Sequence, residues 1–119
     1  MLYTASVLDL KKIQRKMKVY YIIESHGNDV VAPDPTELDY YKNGILTWEG
    51  LKMNYLAKIY KFEASEWMKN VSEEAVSEDI VIVDEEKDAN HSCRKLLVEL
   101  MKNMYSGHLK FHYMGELIN

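Results

Sequence analysis

Cysteine occurs once in this chain, as Cys93. A single thiol excludes an intramolecular disulfide and any zinc site built on several cysteines, and it suits a reducing, cytoplasmic compartment. Proline occurs only at Pro33 and Pro35, so no proline-rich linker divides the chain, and no segment repeats. Long apolar runs are missing too. The run Val19–Ile23 near the start is far short of the ~20 residues that a membrane span requires. Met1–Ser6 carry no basic cluster or long apolar core, so no signal peptide is expected. Positive charge is not in excess either. With 15 basic against 19 acidic side chains the formal net charge is -4, which argues against a broad nucleic-acid surface.

What is present describes one ordinary α/β domain. The chain has 119 residues, 47% apolar and 29% charged, enough for one hydrophobic core and no second. Residues 2–6 (LYTAS) are β-prone. Residues 9–17 place Leu10, Ile13 and Met17 at helical spacing behind Asp9 as a cap. Residues 19–23 read as a strand buried on both faces. Asp34, Pro35 and Glu37 spell a helix start with a capping box, and Asn43-Gly44 a left-handed stop.

A longer helix is predicted from about Thr47 to Asn70, with Trp48, Leu51, Tyr55, Ile59 and Phe62 as its stripe. Residues 72–79 read as an acidic, solvated connection, and 80–83 (IVIV) as the clearest strand. A helix from about Asn90 to Tyr105, with Leu97, Leu100, Met101 and Met104 inward, precedes an alternating strand at 108–113.

The order β-α-β-α-α-β-α-β predicts a single three-layer domain, Rossmann-like, with a mainly parallel four-stranded sheet and helices on both faces. In such sheets ligands lie beyond the carboxyl ends of the strands. Those ends are Thr4 and Ser6, Glu24 to Gly27 with His26, Asp84 to Glu86, and the helix start at His91 to Arg94.

The stretch 84–97 (DEEKDANHSCRKLL) lies between the strongest strand and an amphipathic helix. It resembles the domain-of-unknown-function 488 family of small α/β proteins. That family's pattern is an apolar strand, then Cys-aromatic-Glu-Lys, a spacer, and His-Cys-His-Arg opening a helix with two leucines. Glu86, Lys87, His91, Arg94, Leu96 and Leu97 match it. Residues 1–6, Ala32–Leu38 with Tyr41–Gly44, and Tyr113–Glu116 are similar, in order, to other parts of the family's pattern. The cysteine slots hold Asp84 and Ser92, the aromatic slot Glu85, and a histidine slot Cys93. The resemblance therefore implies a fold and a site location, while a thiol pair or Cys-His metal site is not kept.

Each candidate has two readings. Arg94 in a first helical turn suits a carboxylate or phosphate, or else ties the helix to Asp84 or Glu86 as a structural ion pair. Cys93 beside it is either a nucleophile, with His91 as its base, or a small buried apolar residue. Asp84, Glu85, Glu86, Asp88 and His91 read as a solvated turn more readily than as a metal site, and no metal or other cofactor is expected. Lys87 and Ser92 complete the candidate ligand set. His26-Gly27-Asn28-Asp29 lacks a phosphate-loop pattern. His108 and His112 alternate away from Leu109 and Phe111, toward solvent. Tyr40, Tyr41 and Tyr60 are available to stack on a planar ligand or a partner.

The leading expectation is a non-catalytic or weakly catalytic binder of a small anionic, nucleotide-like molecule, gripped by the helix start and Arg94. Sequestration of the ligand is one role open to such a protein. The alternatives are an enzyme acting on a nucleotide or related small molecule through Cys93 or an Asp84–His91 pair, and an interaction or inhibitor module. An oligomer is compatible with any of them.

Overall fold

The structure is a computed structural model that describes residues 1–13, 16–105, 107 and 111–118. Strands β1 (Leu2–Ser6), β2 (Lys18–Tyr21), β3 (Ile80–Asp84) and β4 (Tyr113–Glu116) form one sheet in the order β2-β3-β1-β4. Every neighbouring pair is parallel. This is the single α/β domain with a parallel four-stranded sheet that the element order implies. β3 has a central position and is buried along its whole length, as its unbroken β-branched run requires.

The two faces of the sheet are covered differently. Leu2, Ile22, Ile80 and Ile82 face the helices α2 (Trp48–Ile59), α3 (Phe62–Ser77) and α4 (Cys93–Tyr105), meeting Tyr55, Ile59, Met68, Val71, Leu97 and Met101. Helix α1 (Pro35–Lys42) has no buried residue and packs on α2. The opposite face, Ala5, Val81 and Val83, is covered by Leu10, Ile13, Met17 and Leu117. Here the α-helix expected over residues 9–17 is a 3-10 helix, Val7–Lys12, capped by the Ser6 hydroxyl instead of Asp9; positions 14 and 15 lie outside the described residues. Eleven residues must return along the sheet and step over β3, and α-helix, rising only ~1.5 Å per residue, would consume that length.

The long helix after Thr47 is two helices. Tyr60 closes α2 and Lys61, extended at φ -76 and ψ 158, opens α3. The buried stripes explain the break. Leu51, Tyr55 and Ile59 on α2 are followed on α3 by Ala64, Met68, Val71 and Ala75. The five-residue step from Ile59 to Ala64 would rotate the second stripe by about 140° in a continuous helix, so only a bend lets both face the sheet. Phe62, which continues the first stripe by count, is 74% exposed. Burial of Val71, Ser72 and Ala75 also carries α3 on through Ser77, where a solvated connection was expected.

The last strand starts later than the alternation suggested: Phe111 is buried, His112 is exposed, and pairing begins at Tyr113. His108 and Leu109 lie outside the described residues. Within β4, Leu2 pairs with Tyr113 and Thr4 with Glu116, two steps against three. The extra residue is accommodated at Gly115, whose φ of 91 suits glycine.

Candidate functional site

The carboxyl ends of β2 and β3 open into a cleft of about 430 Å³. Ile22 and Ile23 lead off β2, and Asp84, Glu85 and Glu86 end β3 and begin the loop beyond it. The facing wall is built by both prolines of the chain, Pro33 and Pro35, with Leu38 and Tyr41. Asp34 fixes that wall by capping α1: its Oδ1 accepts from the Thr36 and Glu37 backbone N–H groups at 2.8 and 3.2 Å. The anticipated reciprocal bond from Glu37 is replaced, since its Oε1 accepts from Asn54 Nδ2 at 3.0 Å. Gly44, at φ 74, then turns the chain into α2, whose Trp48 and Leu51 reach the cleft.

Three rings form a ladder along this wall. Tyr41 and Trp48 are 5.9 Å apart between centroids, and Trp48 and His91 are 5.2 Å apart. His91 Nδ1 lies 3.6 Å from an Asp88 carboxylate oxygen. Burial, then the negative charges of Glu86 and Asp88, raise the Tyr41 phenol above its ordinary value.

Among the described residues Arg94 is the largest fully buried side chain, and it does not line the cleft. Its Nη1 donates to Asp84 Oδ1 at 2.6 Å and to the Glu86 carbonyl. Its Nε and Nη2 donate to the two carboxylate oxygens of Glu116 at 3.1 and 2.6 Å. The backbone N–H of Arg94, in the first turn of α4, donates to Asp84 Oδ2 at 3.0 Å. Burial lifts the Asp84 carboxyl above its ordinary value, against the opposing pull of Arg94. Burial likewise works against the Arg94 charge, but the Glu116 and Asp84 carboxylates outweigh it and keep the guanidinium protonated.

This arrangement corrects the expected anion grip. The helix start does attract an anion, but that anion is the chain's own Asp84, and the guanidinium is enclosed by Asp84, Glu116 and a carbonyl. Of the two readings of Arg94, the structural ion pair is the one built. Three more expected ligand contacts point inward. Thr4 Oγ1 lies 2.8 Å from the Tyr113 hydroxyl, Ser6 caps the 3-10 helix, and Ser92 Oγ donates to the Ala89 carbonyl at 2.7 Å. Two others lie outside the cleft: His26 stacks on Tyr21 at 5.0 Å, and Lys87 is exposed beside it in the loop, its backbone N–H donating to Glu86 Oε1.

Asp84, Glu86, His91 and Cys93 are brought together on the cleft. Cys93 is buried, and burial followed by the charge of Asp84 pushes its thiol far up, which disfavours the thiolate a nucleophile needs. Among the described residues, no three histidine, cysteine or carboxylate side chains form a metal-holding group.

Trp48, Leu38 and Glu116 were not anticipated as site residues. Trp48 sits on the core stripe by spacing, and its place at the first turn of α2 lets it serve the cleft instead. Glu116 was hidden by the late start of β4; its position at the carboxyl end of a parallel strand was the available signal.

No protein-family model, no curated protein and no solved structure matches this chain. Among the described residues no helix is long and apolar enough to cross a membrane.

Proposed function

We propose that this protein is a small-molecule-binding domain whose ligand lies in the cleft beyond β2 and β3. The observation that carries this reading is the cleft itself. A volume of about 430 Å³ lies within the ~300–1,000 Å³ of small-ligand sites, and its lining joins apolar and aromatic side chains to charged ones. Its place at the carboxyl ends of parallel strands agrees with the general rule for open α/β sheets. The family resemblance of the 84–97 stretch points to the same end of the sheet. Binding without turnover is favoured over catalysis because Cys93 holds its proton and Asp84 is already engaged by Arg94. Sequestration of the ligand is the corresponding role.

The test is a fragment panel screened by ligand-observed NMR on the natural chain and on Leu38→Trp, which fills the cleft from α1. Compounds that bind the natural chain and lose binding in Leu38→Trp support the reading. No binders, or binders indifferent to the substitution, overturn it. Mass spectrometry of molecules released from the purified protein then identifies any resident ligand.

A further inference from the structure

We infer that the molecule held in the cleft is an organic cation with a flat apolar body, an aromatic amine or amidine by chemical class, and not an anion. This inference rests on the small-molecule reading above and specifies the charge of its ligand. Five carboxylate side chains line the cleft, Glu24, Asp29, Asp84, Glu85 and Glu86, against one lysine, Lys42, among the described residues. Among the described residues of the cleft only Asp84 is neutralised by an arginine, and the Arg94 guanidinium fork is spent on Asp84 and Glu116. Glu86 receives the backbone N–H groups of Lys87 and Asp88, which do not cancel its charge.

Glu24, Asp29 and Glu85 have no hydrogen-bond or ion-pair partner among the described residues and are exposed at the cleft's edge. Lys58, whose charge acts on the Cys93 thiol, does not line the cleft and donates to the Ala32 carbonyl at 2.5 Å.

The second, independent feature is the ring ladder Tyr41–Trp48–His91 beside these carboxylates. Aromatic faces attract cations through the ring quadrupole, and a planar apolar body matches their surface. A phosphate or carboxylate entering this cleft would instead meet a concentration of like charge, with the α4 start already occupied by Asp84. Shape and charge therefore select the same class: flat on the Trp48 side, positive toward Glu24, Asp29 and Glu85.

Three probes of nearly equal shape separate the possibilities: benzamidinium, benzamide and benzoate, with charges of about +1, 0 and -1 at neutral pH. Dissociation constants are measured by ligand-observed NMR at low and high sodium chloride. Benzamidinium is expected to bind about tenfold tighter than benzoate at low salt, with benzamide between them and the gap shrinking as salt rises. The Glu24→Gln/Glu85→Gln double variant, which leaves the Arg94 network intact, is expected to cut the gap to about threefold. Benzoate binding as tightly as benzamidinium, or a gap unchanged in the double variant, overturns the inference. If none of the three binds while other Leu38-sensitive compounds do, the ligand class fails and the cleft reading stands. Failure of every compound overturns both.

Discussion

Arg94 and Glu116 meet as a two-pronged ion pair, Nη2 to Oε1 at 2.6 Å and Nε to Oε2 at 3.1 Å. The third guanidinium nitrogen, Nη1, turns to Asp84 at 2.6 Å, so one buried guanidinium joins the start of α4 to the ends of β3 and β4. The bulge at Gly115 makes this possible. Tyr113 packs on the helix side of the sheet, and strict alternation would send a side chain three residues later to the other side. The extra residue brings Glu116 level with Thr4, on the side of Arg94.

Replacing Arg94 with alanine is expected to destabilise the protein by about 3–5 kcal/mol, because it leaves the Asp84 carboxylate buried and uncompensated. Urea denaturation followed by circular dichroism measures this. Arg94→Met combined with Asp84→Asn should recover a substantial part of the loss, since the buried charge leaves with its partner. A double variant as unstable as Arg94→Ala would show that packing, and not charge, dominates the site.

Gly115→Ala is expected to cost about 1–3 kcal/mol although nothing lies within 4 Å of the added Cβ. The cost comes from the backbone, because φ of 91 is rarely adopted by an L side chain. Loss of the Glu116 alignment adds to it. Denaturation of Gly115→Ala in the natural and Glu116→Gln backgrounds tests the link: the two losses should be less than additive.

Acid sensitivity has a source on the far side of the fold. Glu74 on α3 accepts hydrogen bonds from Lys18 and the Tyr20 hydroxyl of β2. Burial pushes its carboxyl up, but those two hydrogen bonds together bring it below the ordinary value of 4.5. A carboxyl whose folded value is depressed binds protons more readily when unfolded, so its contribution is present above 4.5 and is lost as pH falls through the folded value. The difference in Tm between the natural chain and Glu74→Gln should therefore be largest near neutral pH and close toward pH ~3. A constant difference across that range would remove Glu74 from the acid response.

Cys93 should be nearly inert in the folded protein. With its thiol buried and its ionisation held far up, alkylation by iodoacetamide at pH ~8 is expected to run at least ~100-fold slower than in the urea-unfolded chain. Cys93→Ala should bind benzamidinium within about twofold of the natural chain. Rapid native labelling would restore the nucleophile reading of this residue.

Ser72 gives a prediction of opposite sign. Its hydroxyl is fully buried on α3 and has no hydrogen-bond partner among the described residues. Ser72→Ala removes an unsatisfied polar group and should stabilise the protein by about 1 kcal/mol. A lower Tm would instead point to a bond that this hydroxyl makes in solution.

The sequence by itself determined the two central strands and the direction of the sheet. Leu2–Ser6 and the β-branched run Ile80–Val83 are read directly because local composition decides them, and the alternation of strands with helices sets the sheet parallel. The caps at Asp34 and Gly44 are local chemistry as well, and so is the place of the cleft, which follows from strand direction.

Tertiary structure decided the rest. The bend at Tyr60–Lys61 exists because two stripes out of phase must both reach one sheet, which no window of spacing shows. The register of β4 depends on a single bulged glycine. The role of Arg94 depended on which acid it would meet, and Glu116 lies 22 residues away along the chain. A guanidinium at a helix start looks the same in sequence whether it waits for a ligand or is already neutralised. Only the folded chain, by enclosing it with Asp84 and Glu116, leaves the cleft to Trp48 and its carboxylates.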